Sequence, residues 1–118
     1  MQIGVLAKRA GVSTSSIRFY EARGLLPPPK RRPSGYREYD DRALEIILFI
    51  NRARGLGFSL AEIAAHIRSP KDNARKLRLL SSMERKLSEF DALLVDLQNR
   101  RAALFEAIKE LRSRTRDK

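Results

Sequence analysis

The sequence predicts a mainly α-helical protein with one small β-hairpin and a long final helix. Three observations support this fold class. Short apolar patterns at helical spacing fill the first half, a Pro-rich basic segment interrupts them, and from about residue 73 a long amphipathic pattern runs without Gly or Pro. We therefore expect two domains, residues 1–70 and residues 71–118.

Composition narrows the classes of protein to which the chain can belong. The 118 residues carry 25 Lys and Arg against 14 Asp and Glu, a formal charge of +11, and so basic a surface favours a polyanionic partner. Charge alone leaves DNA, RNA, anionic lipid and acidic protein open. The absence of cysteine excludes disulfides and thiolate metal sites. No apolar run approaches the roughly 20 residues that span a bilayer, so we expect a cytoplasmic protein without a membrane partner. We also expect no metal and no cofactor.

Two short helices joined by a turn are predicted at the start of the chain. Apolar residues recur at helical spacing over residues 3–10, and Gly11 ends this helix because a left-handed backbone costs glycine least. Ser13 is a good N-cap for a second helix over residues 14–23, with Ile17 on its buried face. This order of elements is the helix-turn-helix outline.

The second predicted helix carries side chains that suit contact with DNA. Hydroxyl groups in its first turns can approach phosphates, although plain helix capping explains them equally well. Two roles stay open for Arg18: contact with a base edge, or a salt bridge with Glu21 three residues along. Of the neighbouring aromatic residues we assign Phe19 to the core and Tyr20 to the DNA backbone. The candidate contacts are Thr14, Ser15, Ser16, Arg18 and Tyr20.

A basic hairpin is predicted after the second helix. Three consecutive prolines at residues 27–29 forbid continuation of the helix. Residues 33–35, Pro-Ser-Gly, form a turn signal between two short arms at residues 30–32 and 36–39. We interpret this segment as a two-stranded wing, the alternative being a flexible basic loop. Its candidate DNA contacts are Arg31, Arg32, Tyr36 and Arg37.

A second pair of helices is predicted after the wing. Asp40 is the expected N-cap of a third helix, whose apolar face includes Ile47 and Leu48. Ser59, followed three residues later by Glu62, predicts a capping box at the start of a fourth helix.

The last segment predicts one amphipathic helix of about 40 residues, roughly 60 Å long. Apolar residues recur at alternating spacings of three and four, which is the pattern of a coiled-coil seam. So long a helix needs a partner, and a second copy of the chain is the natural one. The seam positions are Leu80, Met83, Leu87, Phe90, Leu94, Leu97, Arg101, Leu104, Ile108 and Leu111, followed by a frayed basic tail to Lys118.

The first part of the chain, up to about residue 70, resembles the DNA-binding domain of the MerR family of bacterial transcription regulators. The resemblance covers the first 70 residues closely and the rest in architecture only. It is specific because several separated clusters occur in the right order and spacing: residues 3–7, 11–13, 17–21, 24–26 and 35–39.

The resemblance implies a winged helix-turn-helix regulator that binds double-stranded DNA as a homodimer joined by an antiparallel coiled coil. Such a dimer would bind a near-palindromic promoter site and distort it so that RNA polymerase can use it. By position, Arg52, Arg54 and the amide end at Ser59 are candidates for further phosphate contacts, although a solvated helix edge is an equally good explanation. Arg101 has two possible roles: it fixes the register on a carboxylate such as Glu84 or Asp91 of the second copy, or it extends to solvent.

The signal to which the protein responds stays open. Family members commonly sense through cysteines near the end of the long helix or through an added domain, and this chain has no cysteine. A constitutive regulator, a response to a small ligand or protein, and a sensory domain that the chain lacks are all compatible with the sequence.

A different class of protein also fits the pattern: a coiled-coil adaptor or architectural nucleic-acid-binding protein that controls no promoter. An enzyme is the weakest interpretation. The chain has one histidine and no cysteine, and no pair of carboxylates lies in an apolar setting.

Overall fold

The computed structural model describes residues 1–116 and has the mainly helical architecture with a two-stranded hairpin that the sequence predicts. The chain divides into two units, Met1–Pro70 and a second unit that begins at Lys71. In chain order the elements are α1 (Ile3–Ala10), α2 (Thr14–Ala22), β1 (Lys30–Arg31), β2 (Arg37–Glu38), α3 (Asp41–Gly55), α4 (Leu60–Arg68) and α5 (Arg75–Arg116).

A glycine shapes the turn between α1 and α2. Gly11 has a φ of 70°, in the left-handed region that favours glycine. This conformation lets the amides of Gly11 and Val12 donate to the carbonyls of Lys8 and Ala7, at 3.3 and 3.0 Å, and so close the end of α1. The predicted helix-turn-helix is therefore confirmed.

The basic segment after α2 forms the predicted wing. β1 and β2 pair antiparallel, with Lys30 opposite Glu38 and Arg31 opposite Arg37. Gly35, in the connecting turn, has a φ of 85°. The strands have two residues each, so the ladder is shorter than the predicted arms.

The helices α3 and α4 begin at the predicted side-chain caps. Asp40 accepts a hydrogen bond from the amide of Ala43 at 3.1 Å. Ser59 Oγ accepts from the amide of Glu62 at 3.1 Å, while the Glu62 carboxylate accepts from the amide of Ser59 at 2.9 Å. This reciprocal pair is the predicted capping box.

The core of residues 1–70 draws on the four short helices and the base of the wing. Its largest fully buried side chains are Tyr39, Leu6, Ile17, Ile47 and Ile50. The placement of Leu48 on the apolar face of α3 is wrong, because 44% of that residue is exposed. One residue along a helix is a rotation of about 100°, which carries Leu48 off the face that buries Ile47.

Two side chains donate hydrogen bonds to carbonyls at the ends of other helices. Asn51 Nδ2 on α3 donates to the carbonyl of Ala10 at the end of α1, at 3.2 Å. Arg68 Nη2 on α4 donates to the carbonyl of Arg23, directly after α2, at 2.7 Å. Carbonyls at these positions lack a partner within their own helix, so both contacts stabilise the packing of one helix on another.

The helix α5 is continuous over 42 residues, about 63 Å at 1.5 Å per residue. None of these residues is buried, and the apolar seam residues range from 39% exposed at Phe90 to 67% at Leu111. The predicted frayed tail is wrong as far as Arg116, because the helix continues to that residue. Residues 117 and 118 lie outside the described part of the chain.

Candidate nucleic-acid interface

The start of α2 presents amides and hydroxyl groups at the protein surface. Ser13 Oγ accepts from the amide of Ser16 at 3.1 Å, and the hydroxyls of Ser15 and Ser16 lie 3.0 and 2.9 Å from the same atom. These three serines therefore form one capping cluster. Ser15 is exposed, whereas Thr14 and Ser16 are half-buried. Because the start of a helix carries positive partial charge, this end suits an anion such as phosphate.

Arg18 has a free guanidinium. It lies one turn into α2, is exposed, and makes no hydrogen bond or ion pair within residues 1–116. The alternative salt bridge with Glu21 is not formed, because the Glu21 carboxylate holds two residues of the wing segment. The side chain is thus available for a base edge, although that contact stays a prediction.

The assignment of the two aromatic residues of α2 is wrong. Tyr20 is buried, with 4% exposed, and Phe19 is 42% exposed. Residues three apart share a helix face, so Tyr20 lies beside the buried Ile17, whereas Phe19 is rotated about 200° from Ile17. Tyr20 therefore exposes little surface with which it could contact the DNA backbone.

Sequence reasoning also missed a pair of exposed residues at the end of α2, formed by Phe19 of the helix and Arg23 directly after it. The guanidinium of Arg23 lies 4.7 Å from the centre of the Phe19 ring, a cation–π arrangement. The spacing of four residues between them was the available signal, because such neighbours meet on a helix surface. Phe19 and Arg23 therefore join Arg18 as exposed candidates on α2 and at its end.

The four wing candidates differ in whether their side chains are free. Arg31 is exposed and Tyr36 is 61% exposed, and neither side chain has a partner within the described residues. Arg32 and Arg37 each pair with a carboxylate of the protein. Arg31 and Tyr36 can therefore contact phosphates without the loss of an internal contact, whereas Arg32 and Arg37 would have to share or release theirs.

Glu21 joins α2 to the wing. Its Oε2 accepts from the hydroxyl of Tyr39 at 2.8 Å and from Nη1 of Arg37 at 3.4 Å. Burial first, and then the hydrogen bond to Glu21, raise the pKa of the Tyr39 hydroxyl above its ordinary value of 10. Glu21 thus ties Arg37 and Tyr39 of the wing segment to α2.

Glu38 holds the other side of the wing. Its Oε1 lies 2.9 Å from the amino group of Met1 and 3.1 Å from Nη2 of Arg32. The hydrogen bond from the Met1 ammonium, together with the charge of Arg32, lowers the pKa of the Glu38 carboxyl below its ordinary value of 4.5. Met1 and Tyr39 also exchange backbone hydrogen bonds of 2.6 and 2.7 Å, which places Met1 alongside the end of β2.

Arg54, the remaining candidate, lies in the last turn of α3. It is exposed and unpaired within residues 1–116, as is Arg52. Close by in sequence, the capping box of Ser59 and Glu62 provides hydrogen-bond partners for some of the free amides at the start of α4. The phosphate contact of Arg54 stays a prediction.

Other kinds of site find little support in the described part of the chain. Residues 1–116 bring no group of three or more His, Asp or Glu side chains together in a way that could hold a metal ion. Across the same residues, every helix is too short or too polar to cross a lipid bilayer.

The helix-turn-helix, the basic wing fixed to its second helix and the free guanidinium of Arg18 define a winged helix-turn-helix DNA-binding protein. The chain matches the family model "MerR HTH family regulatory protein" over residues 1–69 and the model "MerR, DNA binding" over residues 44–114. It belongs to the MerR family of transcription regulators. The protein is a DNA-binding transcription regulator and not an enzyme.

Relatives of known class support this assignment. The mercuric resistance operon regulatory protein of Serratia marcescens is 37% identical over 109 residues, which cover 92% of this chain and 74% of that protein. A ZntR homolog of Haemophilus influenzae, an HTH-type transcriptional regulator, is 46% identical over 63 residues, 53% of this chain. That match spans 47% of the Haemophilus protein, about half of its length.

Solved structures agree on the fold. The transcription regulator PbrR691 from Ralstonia metallidurans CH34, in complex with lead(II), superposes with a TM-score of 0.58 at 32% identity and covers 84% of each chain. The EcmrR–DNA complex in EcmrR-RPo matches with a TM-score of 0.55 at 25% identity, over 84% of this chain and 37% of that one. The predicted fold class is therefore confirmed.

Proposed function

We propose that this chain is a dimeric, sequence-specific regulator that binds a near-palindromic promoter site and distorts it. Residues 1–70 would form the DNA-binding domain, and the segment from residue 71 would join two copies. The observation that carries the proposal is the free guanidinium of Arg18 on the exposed face of α2, with the wing held to that helix through Glu21. This arrangement suits simultaneous contact with a groove and the flanking backbone.

The exposed candidates on α2 and on the wing have different roles in this proposal. α2 enters the major groove, where Arg18 reads a base edge and Ser15 approaches a phosphate. Arg31 and Tyr36 of the wing hold the DNA backbone. Phe19, rather than Tyr20, supplies the exposed aromatic surface of the helix.

The dimer supplies the symmetry that a near-palindrome requires. The exposed seam of α5 gives the chain an apolar face for a second copy, and two such copies present two copies of α2. By its resemblance to the EcmrR–DNA complex, the regulator would act at a promoter together with RNA polymerase, in the cytoplasm. Deformation of the DNA would then contribute to specificity. The chain has no cysteine, so we propose no thiolate metal site within it.

Selection of bound fragments from random and genomic DNA tests the proposal directly. We expect a two-half-site consensus and a discrete footprint, whereas diffuse coverage would support the architectural alternative. With the selected site, Arg18→Ala should relax the preference at one base pair per half-site by about 1–3 kcal/mol.

A second variant separates backbone contact from base contact. Arg31→Gln should weaken binding to every sequence alike and reduce the slope of log K against log salt by about 0.9 for each copy that loses one phosphate contact. Lys8→Gln is the matched control, because it removes the same charge from α1, which carries no candidate contact. Equal effects of Arg18→Ala, Arg31→Gln and Lys8→Gln would contradict the assigned interface.

A further inference from the structure

The face of α2 that points away from the core is partly apolar. Each residue of a helix is rotated by about 100° from the one before it, and four residues lie about 100–200° around the helix axis from the buried Ile17. These four, all of them exposed, are Ser15, Arg18, Phe19 and Ala22. Ser15 and Arg18 offer hydrogen-bonding groups to a partner, whereas Phe19 and Ala22 offer only hydrocarbon. The surface with which α2 would meet DNA therefore has an apolar part beside its polar part.

The Phe19 ring is held in place by two neighbours. Its centre lies 4.7 Å from the Arg23 guanidinium and 6.0 Å from the centre of the buried Tyr20 ring, in an edge-to-face arrangement. The carbonyl of Arg23 accepts a hydrogen bond from Nη2 of Arg68 at 2.7 Å, which anchors the residue that covers the ring. The ring is thus preorganised while Phe19 remains 42% exposed, so little conformational freedom would be lost when it contacts a partner.

We propose that Phe19 recognises the C5-methyl group of a pyrimidine, ordinarily thymine, in the major groove beside the base edge assigned to Arg18. The contact rests on the function proposed above, and it adds the kind of base that α2 selects. A phenylalanine side chain has no donor or acceptor, so it cannot form a hydrogen bond with a phosphate or a base edge. The thymine methyl is the one apolar group that unmodified base pairs present in the major groove, and an aromatic ring suits it.

Cytosine that is methylated at C5 presents the same group from the same ring position. Because Phe19 would contact only the methyl group, it should favour 5-methylcytosine over cytosine as it favours thymine over uracil. Removal of one methyl group from water corresponds to about a four-fold gain in affinity for each half-site. Binding should therefore respond to cytosine methylation wherever a cytosine occupies this position of the site.

The alternative role for the ring is support of its neighbour. Arg23 would then contact a phosphate, and Phe19 would only hold the guanidinium in place. In that case the methyl groups of the DNA would be irrelevant, and loss of the ring would weaken binding to every sequence alike. The two roles thus differ in whether a methyl group on the DNA changes affinity.

Removal of single methyl groups from the DNA tests the contact with the native chain. In the selected site, each thymine would be replaced in turn by uracil, symmetrically in both half-sites, and affinity measured by fluorescence anisotropy. At one position we expect a loss of about four-fold per half-site, roughly 15-fold for the two together. At that position, 5-methylcytosine should also bind about four-fold more tightly than cytosine for each half-site.

Protein variants then assign the methyl effect to one ring. Phe19→Ala should abolish the difference between thymine and uracil at the sensitive position, and Phe19→Tyr, which keeps the ring, should retain it. Tyr36→Ala is the matched control, because it removes an aromatic ring that is 61% exposed on the wing. It should weaken binding to the thymine and uracil sites by the same factor. Circular dichroism establishes that each variant is folded, and the uracil scan of the native chain requires no variant.

Each outcome supports or overturns the contact. Insensitivity of every thymine to uracil would overturn it, and so would a methyl effect that persists in Phe19→Ala. An equal loss for all sequences in Phe19→Ala would assign the ring to the support of Arg23 instead. A methyl effect at thymine without one at cytosine would overturn the recognition of 5-methylcytosine. Failure to select any consensus would refute the proposed function itself, whereas a consensus without methyl dependence would refute this contact alone.

Discussion

Replacement of Tyr39 by Phe tests the link between α2 and the wing. Tyr39 is 2% exposed, so the phenylalanine ring would keep the packing of the native ring. The change removes one hydroxyl, which donates to Glu21 Oε2 at 2.8 Å. Glu21 would keep Arg37 as its partner, at the longer distance of 3.4 Å.

The expected loss follows from the charge and burial of the acceptor. A hydrogen bond to a charged group contributes about 1.5–3 kcal/mol. The Glu21 side chain is 19% exposed and still holds Arg37, so some compensation is available and the lower end of that range applies. We expect the free energy of unfolding to fall by about 1.5 kcal/mol, which lowers the melting temperature of a domain of this size by about 6–12 °C.

Thermal and urea unfolding of the full chain, followed by circular dichroism, measure this loss. Tyr36→Phe is the matched control, because it removes the same atom from a wing residue that is 61% exposed, and it should change stability by less than about 0.5 kcal/mol. Equal stability of Tyr39→Phe and Tyr36→Phe would refute the assigned role of the hydroxyl.

The pH dependence provides an independent measurement of the same contact. Because burial and the bond to Glu21 raise the pKa of Tyr39 in the folded state, its neutral form stabilises the fold fully below the ordinary pKa of 10. This contribution is lost as pH rises through the raised pKa. The difference in stability between the native chain and Tyr39→Phe should therefore narrow above pH 10, and a constant difference would contradict the pKa shift.

Three further changes test the core, a helix cap and the base of the wing. Ile47→Ala should cost about 2–5 kcal/mol in urea unfolding because Ile47 is fully buried, whereas Leu48→Ala on the exposed neighbour should cost much less. Ser59→Ala removes the cap of α4 and should cost about 1 kcal/mol in the same assay, with some loss of helical signal. Since the pKa of Glu38 is lowered, its stabilising effect is complete above pH 4.5 and is lost as pH falls through the folded value, so Glu38→Gln should flatten the acid limb of the stability curve.

Local chemistry accounts for what the sequence predicts well. Gly11, Ser13, Asp40 and Ser59 act on residues at most four positions away, so their roles as turn and caps can be inferred from neighbours alone. The long helix follows from a periodic pattern that needs no tertiary information.

Errors arose where the direction of a side chain around a helix decided the outcome. Phe19 and Tyr20 are both aromatic and adjacent, so residue type cannot separate them, and only their angle from Ile17 places Tyr20 inside. The same reason explains Leu48 beside Ile47. In both cases the position within the helical period, and not the hydrophobicity of the residue, distinguishes the buried residue from its exposed neighbour.

The partners of Glu21 could not be predicted from the sequence, and they determine which basic side chains of the candidate interface are paired. From the sequence, its nearest candidate was Arg18, three residues away on the same helix. In the structure the carboxylate turns instead to Arg37 and Tyr39, which lie 16 and 18 residues along the chain and reach it only through the fold of the wing. One carboxylate thus has two effects: it leaves Arg18 without an ion pair on its own helix, and it holds Arg37 in an ion pair between the wing and α2. The division of the basic residues into paired and unpaired side chains is therefore a property of the tertiary structure, and composition alone could not provide it.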